Sequence, residues 1–259
     1  MKTTLILLTI IMLASCKSNN EQQPKNTDLI QQNLKSLVKQ TIDTPYKVDS
    51  SGNIGAQDSC CVETQELNDS GYVTKYYTKD IKGNTKMDQT FIHNPNGSLK
   101  EFTTMNDGKP SNHIVIAIDD NGNYKAAESY DSTGKQDGYY TDFKQNDFGE
   151  LTNLKLYKTD STLKYMFESQ FDNNAQYLGG HTDSAGKTIY SNATALDSNS
   201  NAVKVITTTM VKDSAKQDTS LYRYDEYDDV GNWIQRTTLN ASGKPTKVTK
   251  RGITYYKKE

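Results

Sequence analysis

The 259-residue chain is 34% hydrophobic with a mean hydropathy of -0.81, well below the roughly 45–50% apolar content of an ordinary globular domain. That excludes a multi-span membrane protein. Thirty Lys and Arg against 32 Asp and Glu give a formal charge of -2, which argues against a basic footprint for nucleic acid, and three Cys cannot build a disulfide-dense scaffold.

The N-terminus reads as an address. Lys2 supplies a short positive region, and Leu5 to Leu13 form an apolar run of nine residues. A bilayer span needs about 20, so the run predicts a secretory signal. It ends in Leu13-Ala14-Ser15-Cys16, which resembles the bacterial lipobox. The resemblance implies that residues 1–15 are a signal peptide and that Cys16 is lipidated and becomes the first mature residue. Stable anchoring takes more than one acyl chain. Lys17 stands where an inner-membrane retention signal would place Asp. By analogy with bacterial sorting this favours the outer membrane, with periplasmic or external orientation left open. Residues 16–32 are polar and aperiodic, the composition of a disordered tether.

Residues 33–259 show a period of two. Leu163, Tyr165, Phe167 and Phe171 share one parity, and Lys164, Glu168 and Gln170 take the other, which predicts half-buried strands. Val203, Val205 and Val211 repeat the pattern. Ile114 to Ile118 are apolar on both parities and predict a strand covered on both faces. Turn clusters lie between, among them Asp131-Ser132-Thr133-Gly134, Asp172-Asn173-Asn174 and Asp228-Asp229-Val230-Gly231. Asp and Asn side chains bond the backbone two residues on, and Gly supplies positive φ. Gly71, Gly83, Gly97, Gly108, Gly122 and Gly134 fall 11 to 14 residues apart, a spacing typical of an all-β chain of hairpins. The expected fold is one all-β domain, an antiparallel meander of about 14–16 strands. A sheet that large must curl, split into two layers or close; a curled or two-layered arrangement is the expectation here.

An aromatic-Asp-x-x-Gly signature recurs as Tyr130-Asp131-Ser132-Thr133-Gly134 and Tyr227-Asp228-Asp229-Val230-Gly231, with a degenerate copy at Phe171-Asp172. The stretch from Tyr224 through Asn232-Trp233 to Tyr256 is the most regular. These residues resemble the YD repeat of Rhs-type proteins, as found in small lipoproteins of Bacteroidetes. Asn33 to Lys39 resembles the opening strand of such proteins. The resemblance implies a β-hairpin repeat, and irregular hairpins between Phe143 and Lys216, where Gly is sparse. It implies no activity and transfers no functional residues.

The chemistry-bearing residues are few. His93, His113 and His181 have no metal or triad spacing; His93 and His113 lie near turns and read as surface or edge residues. Adjacent Cys60 and Cys61 read as free thiols at a strand start, with a vicinal disulfide as the alternative. Asp119 to Asn123 offer oxygen ligands without an EF-hand spacing and read as a plain turn. No catalytic constellation is recognisable, so no enzyme, cofactor or metal is expected. The Tyr-rich strands remain. Tyr222, Tyr224, Tyr227 and Trp233 are candidate ligand-contact aromatics, since such rings anchor protein partners as readily as sugars. The sequence therefore points to a lipid-anchored envelope lipoprotein acting as a non-enzymatic interaction module. Its partner is a membrane through the anchor, together with an envelope protein or a glycan. A carbohydrate-binding lipoprotein and a toxin-immunity-like protein are the alternatives.

Overall fold

The computed structural model describes residues 27–49, 52–146, 151–171, 176–211 and 214–257. The signal peptide, Cys16 and the turn at 172–174 lie outside the described residues. A one-turn helix, α1 (Asp28–Gln31), precedes seventeen strands. These are β1 (Val38–Val48), β2 (Ile54–Gln57), β3 (Val62–Leu67), β4 (Val73–Lys79), β5 (Thr85–His93), β6 (Leu99–Asn106), β7 (Lys109–Ile118), β8 (Tyr124–Tyr130) and β9 (Gln136–Gln145). They continue as β10 (Leu151–Lys158), β11 (Leu163–Phe171), β12 (Gln176–Thr182), β13 (Thr188–Leu196), β14 (Ala202–Val211), β15 (Ser214–Tyr227), β16 (Trp233–Leu239) and β17 (Pro245–Tyr255).

The aromatic-Asp-x-x-Gly signature folds as its chemistry dictates. Asp228 accepts at its carbonyl from Gly231 N at 3.1 Å and donates its own N–H to the Asn232 carbonyl at 2.8 Å. Its Oδ1 accepts from the N–H groups of Val230 (3.1 Å) and Asn232 (2.8 Å). Gly231 closes the turn at φ 89°, where a side chain is strained. The Gly-poor middle of the chain makes the same turn with serine. Ser161 and Ser200 occupy the left-handed position at φ 65° and 63°, and their N–H groups bond Lys158 O and Asp197 O at 3.0 Å. The missing glycines therefore do not make these two hairpins irregular.

The sheet closes on itself. β1 pairs antiparallel with β17 from Val38↔Tyr255 to Lys47↔Lys247, and with β3 on its other edge. Every strand from β3 to β17 pairs with its sequence neighbour, and β2 only extends β1 at Tyr46 and Val48. The result is a sixteen-strand antiparallel barrel with β2 as an appendage, in place of the curled or two-layered meander expected. Closure satisfies the edges that an open meander would leave bare. The decisive contact joins residues about two hundred positions apart, which periodicity along the chain does not encode.

Residues on the concave side converge and shield one another, so most buried strand residues share the inner wall, with Thr64, Thr237 and Val248 as exceptions. Phe91, Phe102, Ile114 and Ser129 follow one another in register around the wall. Phe102, Ile114 and Ala127 form a core with Phe91, Ile116, Tyr140 and Phe143 packed against it. Ala117, between Ile114 and Ile118, is exposed, so β7 buries one face and not two. Sixteen strands enclose more space than inward side chains can fill, and most inward residues are only half-buried.

The outer wall carries charged pairs, with Ile42, Ile92 and Met105 exposed among them. Lys75 Nζ meets Asp88 Oδ2 at 3.3 Å, Lys155 Nζ meets Asp142 Oδ2 at 2.7 Å, and His113 Nε2 lies 3.0 Å from Glu101 Oε1. Lys75 and Lys79 lie over Tyr77, and Lys250 over Tyr46.

One mouth of the barrel is strapped. The described chain begins at Thr27, inside the segment expected to be a tether. The Thr27 hydroxyl caps α1 by accepting from Ile30 N at 3.3 Å. Leu29 N donates to Gly71 O at 3.0 Å in the β3–β4 turn. Asn33 Nδ2 donates to Asn199 O (2.6 Å) and Asn201 Oδ1 (2.9 Å) in the β13–β14 turn. Four strands of the ring separate these two turns. Between them, Lys35 N donates to Asn232 Oδ1 at 2.7 Å, and Asn232 Nδ2 returns a bond to Lys35 O at 2.9 Å. Leu29 and Leu34 complete a buried cluster with Val38, Leu67 and Val73, against which Phe91, Ile253 and Tyr255 pack. Residues 33–37 therefore belong to the strap; the opening strand starts at Val38, not Asn33, because Asn33 (φ 55°) and Ser36 (φ 64°) are left-handed.

Candidate binding surface on the inner wall

Three of the four candidate aromatics gather on the inner wall near the strapped mouth, and the fourth lies beside them. Strand geometry explains why. The register shifts between Glu226↔Gln235 and Tyr227↔Trp233, so Ile234 is a bulge residue and Trp233 turns inward with Arg236. The Trp233 ring centroid lies 5.9 Å from that of Tyr224, and Tyr224 lies 6.4 Å from Tyr227. Trp233 is 9% exposed, whereas Tyr227 is 44% exposed at the rim. The Tyr224 hydroxyl donates to Ala202 O at 2.9 Å. Burial pushes this phenol up, opposed by the charge and hydrogen bond of Arg236.

The sequence reading missed the residues that organise the cluster. The Arg236 guanidinium lies 4.6 Å from the Tyr222 ring centroid and 4.8 Å from that of Trp233. Arg251 stacks on the same indole at 3.6 Å. These are cation–π contacts that hold the guanidinium planes. Arg251 is committed elsewhere as well. Its Nε and one terminal nitrogen donate to the two oxygens of Asp43, each at 2.7 Å, and both side chains are largely covered, at 14% and 17% exposure. This bidentate pair crosses the β1–β17 seam. Beside it, burial and then the Glu63 carboxylate push the Tyr76 phenol up.

A signal for this cluster was present in the sequence. The chain has three arginines, Arg223, Arg236 and Arg251, all in its last 37 residues and on the consecutive strands β15, β16 and β17. Arg223 faces outward and pairs with Asp225 at 2.6 Å. The other two form the inner site, where a planar fork serves in a way that lysine does not.

A second inner cluster lies under the strap. Asp28 Oδ2 accepts from Val73 N at 2.6 Å and stands 4.0 Å from His93 Nε2. Burial raises the Asp28 carboxyl from 3.8 to about 6, against the lowering effect of the Val73 bond. Burial lowers His93 and raises Tyr72 and Tyr124. A cavity of ≈ 340 Å³ beside it is lined by Tyr72, Thr74, Phe91 and His93.

The remaining candidates are accounted for locally. His93 is therefore inward and half-buried rather than a surface residue. His181 is also inward, against Tyr165 and Phe167. His113 stacks outside on Tyr130 at 5.5 Å. Cys60 and Cys61 lie in the bend before β3, bonded to each other. The Asp119 carboxylate is occupied by its own turn: it accepts from Asn121 N, Asn123 N and Asn123 Nδ2.

Among solved structures, the chain is similar to a porin-like protein from Bacteroides uniformis ATCC 8492, with a TM-score of 0.55 and 12% identity over 85% of this chain and 98% of that one. A porin-like protein from Bacteroides vulgatus ATCC 8482 also matches, with a TM-score of 0.43 and 11% identity over 85% and 99%. The first likeness is one of fold. No protein-family model and no curated protein matches the sequence.

Proposed function

We propose that this chain is a cell-envelope lipoprotein, held by acyl chains on Cys16, whose barrel stands in water and serves as a non-enzymatic binding module through its inner wall. The observation that carries this reading is the contrast between the two walls. A membrane-spanning barrel needs an outward apolar band about 25 Å tall. Here the outer wall bears Lys75–Asp88, Lys155–Asp142 and His113–Glu101, while Trp233, Arg236 and Arg251 face inside. The likeness to a porin-like barrel is then a likeness of wall and not of setting. An outer-membrane address agrees with the lipobox and Lys17, and the hairpin array agrees with the YD-repeat resemblance. The described chain begins at Thr27 in the strap over one mouth, eleven residues after Cys16. That would turn the strap toward the bilayer and the opposite mouth away from it.

A cross-linking pull-down of the lipidated protein from its native envelope tests the reading, with the eluate analysed for proteins and for sugars. Enrichment of one species, lost on Trp233→Ala, supports the module. Equal recovery of everything with wild type and variant contradicts it. The exposed Tyr227 and the arginine-stacked Tyr222 favour carbohydrate as the second reading over a protein partner.

A further inference from the structure

We infer that the inner wall of β15, β16, β17 and β1 is a binding site for a carboxylate-bearing oligosaccharide, with Arg236 as its fork and Lys247 and Lys47 as a second anchor. The inference rests on the inner wall being the binding surface.

Register brings the groups together. Tyr222, Thr238, Lys247 and Lys47 stand side by side in one row across the four strands. Tyr224, Arg236 and Thr249 form the adjacent row, one step nearer the strap. Three cations therefore face the lumen within two rows. The carboxylate in the following row, Asp43, is held by Arg251. Arg236, Lys247 and Lys47 have no carboxylate within ion-pair reach among the described residues.

Arg236 is also prepared for an anion. Tyr222 and Trp233 fix its plane, which lowers the conformational entropy lost when a ligand is gripped. Its Nε has no hydrogen-bond partner among the described residues, and neither has the shielded hydroxyl of Thr238 on the same strand. Buried polar atoms of folded proteins are nearly always partnered. Both atoms are closed to solvent, as is the unpartnered Asn112 Oδ1 on β7, so the ligand is gripped by the terminal nitrogens of the fork and the two ammonium groups. A planar carboxylate meets a guanidinium fork in a bidentate manner, and ammonium groups act as point charges for a second anion. The neighbouring hydroxyl of Tyr222 suits a sugar, whose hydroxyls need partners of both kinds.

The chain has one Trp, Trp233, and it touches both inner arginines, so its fluorescence reports the site directly. The full-length Cys16→Ala protein is titrated with tetragalacturonate, with its methyl ester, with inorganic phosphate and with vesicles containing phosphatidylglycerol. Tetragalacturonate is expected to change the emission saturably, with the ester at least tenfold weaker. Arg236→Gln and Lys247→Gln are each expected to weaken binding at least tenfold while leaving the circular dichroism unchanged, and Arg236→Lys to fall between. No response to tetragalacturonate, an equal response to the ester, or a response to phosphate or vesicles alone overturns the inference. Lys247→Gln lies on the distal row and tests the site even where Arg236→Gln disturbs the Trp233 packing. A pull-down that recovers a protein or a neutral glycan alongside a silent titration would leave the binding-module reading standing and remove this site.

Discussion

Asp28→Asn isolates the cost of holding a carboxylate under the strap. In the folded protein the carboxyl titrates at about 6 instead of 3.8, so folding favours its neutral form. The sign follows from linkage: the contribution is fully favourable below 3.8 and is lost as pH rises through 6. The full difference corresponds to about 3 kcal/mol. The side chain is 32% exposed, and water screening reduces the figure to about 1–1.5 kcal/mol. Asn retains an oxygen to accept from Val73 N and carries no charge at any pH. In a barrel of this size the Asp28→Asn protein should melt about 2–5 °C above wild type at pH 7.5. The two should converge near pH 4, where both side chains are neutral. His93 is depressed by burial and opposes the trend in both proteins as pH falls below 6.5, so the comparison is read at pH 7.5, where the imidazole is neutral in both. Thermal unfolding followed by circular dichroism from pH 4 to 8 measures this. A difference that is constant with pH, or of opposite sign at pH 7.5, refutes the assignment of Asp28 to a desolvated site.

Three further outcomes follow from the same contacts. Arg251→Ala strips the seam of its bidentate pair and leaves Asp43 covered and unpaired, a loss of about 3 kcal/mol; urea unfolding should show it, with Asp43→Asn/Arg251→Gln recovering part. Gly97→Ala forces a side chain to φ 86° and onto the Tyr72 ring, so its melting temperature should drop below that of Gly83→Ala, whose added Cβ meets nothing within 4 Å. Cys16→Ala should move the protein from the membrane to the soluble fraction and abolish acyl labelling; retention in the membrane with labelling intact counts against the lipobox.

The sequence made the hairpins legible because their turns are local chemistry. Asp228 and Gly231 specify their turn within five residues, and Asp131 and Gly134 do the same. Inward and outward faces were less legible, since the bulge after a turn reverses parity: Trp233 faces inward although Ile234 and Arg236 take the other parity of β16. Closure was not legible, because the β1–β17 seam depends on Asp43 meeting Arg251 across nearly the whole chain. The strap escaped notice for a related reason. Thr27 to Leu37 is aperiodic, and of its four apolar residues Leu29 and Leu34 find their partners on strands β1, β3 and β4. The candidate aromatics were found as good strand residues; the arginines that organise them were hidden among far more numerous lysines.

A barrel that stands in water, as proposed, needs no detergent. Light scattering of the full-length Cys16→Ala protein, purified without detergent, should show a monodisperse species with a β-dominated spectrum, and the protein should give no conductance when added to planar bilayers. Aggregation relieved only by detergent, followed by channel conductance in the bilayer, would show instead that the outer wall meets lipid.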